Sequence, residues 1–353
     1  MNVKGSEFPG PAAPTASVPS CPACGSVGIS RTFVVREMMF GTGDSFEYVE
    51  CEKCSTVRLL DVPHDLSPFY RTDYYSIARD PTVVLGRFPT RQIVRHVVRS
   101  AVTGRGASAA VAQALTRRPE FQKLSSVRLA GLPRGRSSTV LDVGCGSGQL
   151  LYALSLAGID DVLGIDPFAP GDRTFDTGAS ILRQHLSDVE GTFDLVMLHH
   201  SLEHVPDPGG ILRQVRGLLS PQGRIVVRMP TVSSRAYSIY QQDWVQLDAP
   251  RHLAVLSRSG MAELCRANGL QVVTVRDDST SFQFWGSEQV RRRIPLSRAG
   301  SHTGDPEGSR FTRAQLARWG RAATEANRAG EGDQAAWVLR PAQPERDDED
   351  RPG

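Results

Sequence analysis

Long apolar runs are missing from this 353-residue chain. None approaches the ~20 residues needed to cross a bilayer, so no membrane-spanning helix is expected. Charge of one sign is scarce as well: 41 Lys and Arg against 38 Asp and Glu leave a formal net charge of only +3. That balance argues against a general attraction to nucleic acid, which needs a basic stripe. Cysteine is sparse. Six residues are too few for a disulfide scaffold in a chain this long, and four of them fall in two Cys-x-x-Cys pairs, which points to a reducing, cytoplasmic setting. Residues 1–20, MNVKGSEFPGPAAPTASVPS, lack the apolar centre of a secretory signal and read as a disordered leader.

The length and a hydrophobic content of 40% allow one full-sized core plus a small accessory domain. The accessory domain comes first. Cys21-Pro-Ala-Cys24 and Cys51-Glu-Lys-Cys54 flank strand-like stretches at Ile29–Val35 and Phe46–Glu50. Each pair sets two thiolates at the tip of a tight turn, and two facing tips make a closed four-thiolate site, so residues 21–60 read as a zinc ribbon. Such a site has no open position for catalysis. Its structural Zn2+ would fold a module too small to bury a core alone.

Residues 61–136 read as a helical linker or lid. Tyr70, Tyr74 and Tyr75 either pack it against the next domain or line a pocket. Arg-rich helices follow over residues 88–132, interrupted at Gly104–Gly106. Arg87, Arg91, Arg95 and Arg99 recur at i,i+4 spacing, as a solvated face or as a contact for an anionic substrate. From Ser137 strands and helices alternate, which predicts an α/β, doubly wound parallel sheet over residues 137–341. The expected strands are TVLDVG, DVLGIDP at Asp161–Pro167, a weak one near Ile181–Leu186, Phe193–His200, Arg224–Pro230, LQVVTVRDD and Asp333–Pro341. Helices are expected at Ser257–Asn268 and Thr312–Arg328, and residues 342–353 form a charged, disordered tail.

The stretch Val140–Leu151, VLDVGCGSGQLL, is strand, glycine turn and helix. A dinucleotide fold would show G-x-G-x-x-G, whereas here Asp142 precedes Gly144-Cys145-Gly146-Ser147-Gly148. A carboxylate there repels a pyrophosphate and suits a cationic amino group. Asp166, ending the second strand, is placed to accept ribose hydroxyl protons. Ribose, no phosphate and an amino-acid end together describe S-adenosylmethionine.

VLDVGCGSG, GIDP, FDLVMLHHSLEHVPDP and IVVRMP resemble successive motifs of class I S-adenosylmethionine-dependent methyltransferases, whose fold is a Rossmann-like seven-stranded sheet. The ribbon, YRTDYYS, LEHVPDP, WVQLDAPRHLAVLS and FQFWGSEQVRRRIPL extend the resemblance to a bacterial group with a zinc-ribbon domain before the methyltransferase domain. Such proteins are implied in methylating sugars of surface glycans or natural products. The resemblance implies that Asp142, Gly144, Cys145, Gly146 and Gly148 hold the methionine end, that Asp166 holds the ribose, and that Pro167 and Phe168 flank the adenine. Asp188 is the local candidate for the adenine amino group, and His199 closes the donor side.

Methyl transfer from a sulfonium needs alignment and exclusion of water, and a hydroxyl acceptor also needs a base. Residues after the fourth and fifth strands face the ligand crevice. His200 and His204 are therefore candidate bases, with Glu203 between them. The same residues could hold a divalent metal, as in quinone-pathway O-methyltransferases with E-x-x-E-H, or simply brace the loop. His252 and Arg251, with Trp244 as a flat wall, sit where an acceptor could enter; Phe282, Phe284 and Trp285 read as core. The expected partner is a small-molecule acceptor, sugar-containing, modified at O or C. A quinone or phenol O-methyltransferase, a zinc-ribbon RNA methyltransferase and a non-catalytic S-adenosylmethionine-binding protein are the alternatives.

Overall fold

The computed structural model describes residues 19–70, 80–85, 90–103, 122–298, 300–303 and 309–343. Tyr74, Tyr75, Arg87, the Gly104–Gly106 interruption and most of the leader and tail lie outside the described residues.

Short strands rich in Val, Leu and Ile make the centre of the molecule. β4 (Thr139–Val143), β5 (Asp161–Ile165) and β8 (Phe193–His199) are parallel neighbours, and every residue of β8 is buried, as expected for a strand covered on both faces. β9 (Leu219–Pro230) extends the parallel set beside β8. β11 (Leu270–Asp277) and β12 (Gln334–Pro341) add antiparallel, with β12 inserted between β9 and β11. On the far side β5 pairs with β7 (Ser180–Leu182), and β7 with β6 (Arg173–Thr174). The order is β11-β12-β9-β8-β4-β5-β7-β6, a mixed sheet of eight strands. The expected seven are all there. The eighth, β6, is two residues of exposed Arg173 and Thr174 and has no apolar run to announce it.

Helices cover both faces. α2 (Thr90–Thr103), α3 (Gln122–Ala130) and α4 (Gln149–Leu156) contribute Val98, Leu124, Val127, Leu151 and Leu154 to one core. α5 (Pro208–Gly217) and α7 (Arg258–Ala267) contribute Leu212, Val215, Met261 and Leu264 to the other. Both are capped by a side chain, α5 by Asp207 and α7 by Ser257, each accepting from the backbone N–H three residues on. The excursion after β11 forms α8 (Phe282–Arg291) and α9 (Arg313–Ala329), the latter started by a Thr312–Gln315 capping box.

The cysteine-bearing module is more than an appended bead. β1 (Ile29–Arg36), β2 (Ser45–Cys51) and β3 (Val57–Leu59) form an antiparallel sheet whose fourth strand, β10 (Ala254–Val255), comes from the far end of the chain. Cys21, Cys51 and Cys54 pack in the same core as Leu256 and Met261. A third core joins Val35, Tyr48 and Val57 of this sheet to Trp244, Leu247 and Phe284.

Candidate active site

β4 delivers Asp142 to the carboxyl edge of the sheet, and the chain then turns through Gly144, Gly146 and Gly148 at φ of 75°, 57° and 74°, where side chains with a Cβ are strained. Space adds a second constraint. A Cβ on Gly144 would lie 2.9 Å from that of Ser201, and one on Gly148 2.6 Å from Ile181. Asp166 braces the turn: one carboxylate oxygen accepts from Gly146 N–H and the other from Phe168 N–H, both at 2.9 Å. Phe168 is 81% exposed. Cys145 packs where a Cβ on Gly164 would sit, and burial pushes its thiol up, so it is a spacer and not a nucleophile.

Asp142 and His199 are both buried, yet Asp142 Oδ1 and His199 Nδ1 lack hydrogen-bond partners among the described residues and stand 3.8 Å apart. The Ser126 hydroxyl donates to the Lys123 carbonyl at 2.6 Å, so at 2.7 Å His199 Nε2 donates to Ser126. The neutral ring then turns a lone pair towards Asp142, and burial lowers its pKa. Two acceptors facing each other without a donor suit a ligand ammonium. The residues therefore fit the amino end of S-adenosylmethionine.

Past β8 the chain takes a positive φ of 55° at His200 and enters a 3-10 turn, Leu202–His204. His200 is committed at both nitrogens. Arg228 Nη1, which can only donate, lies 2.8 Å from Nε2, so Nδ1 carries the proton and donates to Glu203 Oε1 at 3.1 Å. Burial pushes His200 down to about 4. Glu203 is fully buried, which is the largest single influence and would raise its pKa, but the His200 hydrogen bond and the fields of His200, His204 and His252 together outweigh it and keep it ionised. Its Oε2 has no partner among the described residues.

His204 and His252 are arranged differently. His204 Nδ1 donates to the Arg251 carbonyl at 2.9 Å, and His252 Nδ1 to the Gln246 carbonyl at 2.7 Å. Each bond forces the Nδ1–H tautomer and leaves Nε2 as an acceptor. The rings meet edge to face at 4.8 Å, and donor atoms of Glu203, His204 and His252 all lie within 4.8 Å of one another. This trio could accept a proton or hold a divalent cation. Burial, then the neighbouring His252, pushes His204 below the ordinary imidazole range.

Trp244 and Arg251 depart from expectation. Trp244 is 1% exposed and its ring N–H donates to Asp333, so it is a core residue with no face to offer a substrate. Arg251 is fully buried and turned away from the crevice into Glu37 and Asp248. Arg291 and Arg292 pair with Glu288 and cover Tyr240 and Phe311. Asp188 is exposed, with its carboxylate accepting from Ser187. Tyr70 is the described tyrosine that reaches the site, its hydroxyl 3.2 Å from His204 Nδ1. Lys123, Ser126 and Arg228 escaped notice in the sequence. Lys123 lies in the field of Asp142 and Glu203, and burial lowers its pKa. No motif marks it, because a short helix far from the glycine turn brings it there.

Away from this crevice, Cys21 and Cys54 Sγ are 3.6 Å apart, as are Cys24 and Cys51 Sγ, and all four sulfurs lie within 4.8 Å of one another. Thiolates around a tetrahedral zinc, with Zn–S of about 2.3 Å, sit close to that spacing.

Residues 115–275 match the family described as a methyltransferase domain. The ubiquinone biosynthesis O-methyltransferase of Aromatoleum aromaticum is 31% identical over 161 residues, 41% of this chain and 67% of that protein. That of Pseudomonas paraeruginosa is 34% identical over 110 residues, 28% of this chain and 47% of that protein. The chain thus spans about half the length of the Pseudomonas paraeruginosa protein. Among solved structures, a putative methyltransferase complexed with the Haloferax volcanii Trm112 activator is 20% identical, with a TM-score of 0.43 over 68% of this chain and 97% of that one. The chain belongs to the methyltransferase-domain family, of the class I S-adenosylmethionine-dependent kind.

Proposed function

We propose that the protein transfers a methyl group from S-adenosylmethionine to a hydroxyl-bearing small molecule, most fittingly a sugar or glycosylated metabolite, at oxygen or an adjacent carbon. The observation that carries this is the pair of Nε2 lone pairs on His204 and His252, held by backbone carbonyls beside ionised Glu203. S-adenosylmethionine supplies an activated methyl group with a good leaving group. Asp142 and His199 hold its amine and Asp166 its ribose, with Gly144, Cys145, Gly146 and Gly148 forming the turn and Pro167 beside the base. His252 or His204 takes the acceptor's proton through Nε2, and Glu203 stabilises the imidazolium that results. His200 is assigned a positioning role, since neither nitrogen is available. Cys21, Cys24, Cys51 and Cys54 hold a structural zinc.

The polar wall of His200, Glu203, His204, His252 and Lys123 favours a polyhydroxylated acceptor. A quinone or phenol hydroxyl is the second reading, favoured by the relatives named for ubiquinone biosynthesis. A panel of nucleotide sugars, glycosides and catechols, assayed for S-adenosylhomocysteine with and without chelator, decides between them. Turnover on catechols alone overturns the sugar reading. Loss of turnover with EDTA, restored by Mg2+, replaces the base with a cation at Glu203, His204 and His252. Donor binding with no transfer to anything in cell extract would leave a binding protein.

A further inference from the structure

Residues 251–253 are gripped from the cysteine-bearing module. Arg251 donates through Nη1 and Nη2 to Glu37 at 3.2 Å and through Nε and Nη2 to Asp248 at 2.9 and 2.6 Å. Glu37 directly follows the β1 strand and is 1% exposed. Its carboxylate also accepts the backbone N–H groups of Met39, Phe40, Gly41 and Thr42, at 2.7–3.2 Å. The hairpin loop is thus wrapped round an anion whose other face receives a guanidinium from the far end of the chain. One residue on, the Tyr48 hydroxyl donates to the His252 carbonyl at 2.9 Å. One further, Leu59 N–H donates to the Leu253 carbonyl, Leu253 N–H donates to the Glu203 carbonyl, and β10 begins its pairing with β3.

We propose that Glu37 and Tyr48 are positioning residues for the His204–His252 pair, so that the four-cysteine module braces the transfer site through the backbone of residues 251–253. The inference rests on the reading of those histidines as the proton-handling groups. The link is the Arg251 main chain: its side chain is anchored in Glu37 while its carbonyl holds His204 in the Nδ1–H tautomer. Removing the Glu37 charge strips the buried guanidinium of one of its two carboxylates and leaves it on Asp248 and the Phe69 carbonyl, so it shifts towards the partners it keeps. The carbonyl moves with it, and His204 Nδ1 is left with the Tyr70 hydroxyl, which can donate as well as accept and so imposes no single tautomer. Tyr48 acts one residue later on the backbone of His252. Neither residue touches the donor crevice at Asp142 and Asp166.

The test uses the full-length, zinc-loaded protein labelled with 15N-histidine, with Glu37→Gln and Tyr48→Phe as variants and long-range 1H–15N spectra as the readout. The wild type is expected to show Nδ1–H signals for both His204 and His252. In Glu37→Gln the His204 signal changes to a mixture of tautomers, and in Tyr48→Phe the His252 signal shifts, while S-adenosylmethionine Kd and zinc content stay within twofold. Wild-type His204 and His252 signals in folded variants overturn the proposal. Tyr48→Phe loses a single hydroxyl and carries the test if Glu37→Gln does not fold. The underlying reading fails separately, if His204→Ala and His252→Ala both transfer methyl groups at the wild-type rate whatever the tautomers show.

Discussion

Asp142 Oδ1 and His199 Nδ1, at the ends of neighbouring parallel strands, face each other across 3.8 Å, both buried and both without a hydrogen-bond donor among the described residues. A buried carboxylate in that state is expensive unless a cation completes it. Asp142→Ala is therefore expected to weaken S-adenosylmethionine binding on the order of a hundredfold, within the ~2–5 kcal/mol of losing one partner of a buried charge pair. Isothermal titration with S-adenosylhomocysteine measures it. Affinity within threefold of wild type would remove Asp142 from the donor site.

Burial and the neighbouring His252 push His204 below its usual range, so its Nε2 stays unprotonated to lower pH than in a solvated histidine. Activity that depends on that lone pair is lost only as pH falls through the depressed value. The acid limb of kcat is expected to have its midpoint below about 6.5, the ordinary imidazole value. A midpoint above 7 in the same profile would show that His204 is not the base.

Asp333 gives a stability signal instead. Burial raises its folded-state pKa to about 7 from 3.8. Between these values the folded state keeps a proton that the unfolded state has released, so stability falls as pH rises from about 4 to about 7. Asp333→Asn should flatten that slope and raise stability at pH 8 by on the order of 2 kcal/mol, with the Trp244 N–H still accepted by the amide oxygen. Urea denaturation at pH 5 and pH 8 reads the difference; an unchanged slope would show that Asp333 is ionised in the fold at both.

Metal analysis of freshly purified protein should find about one zinc per chain, since a tetrahedral four-thiolate site takes one ion. Cys51→Ser should lose it and melt β1, β2 and β3, with the damage reaching β10 because that strand completes the same sheet. Protein without metal, or a variant whose hydrogen exchange is unchanged at Val57 and Val255, would contradict this.

Much of the fold was legible because its signals are local. Apolar-rich stretches marked β4, β5, β8 and β9, and three closely spaced glycines marked the turn after β4, where a strand must end. Asp142 and Asp166 could be read from their places at strand ends. The histidines after β8 could be listed but not sorted. Which of them keeps a lone pair depends on partners that only the folded backbone supplies: Arg228 for His200, the Arg251 carbonyl for His204 and, six residues back round a loop, the Gln246 carbonyl for His252. Trp244 looked like a substrate wall because aromatic character is visible in a sequence and burial against Asp333 is not.

The sequence by itself determined the methyltransferase class, the glycine turn after the first sheet strand and the four-cysteine cluster, because each is written in residues close together whose chemistry needs that spacing. Only the tertiary structure decided that the cysteine module shares a sheet with β10 and that Arg251 turns inward to Glu37. Those contacts join residues some two hundred positions apart, and no local pattern of side chains encodes which distant charge a buried arginine will meet.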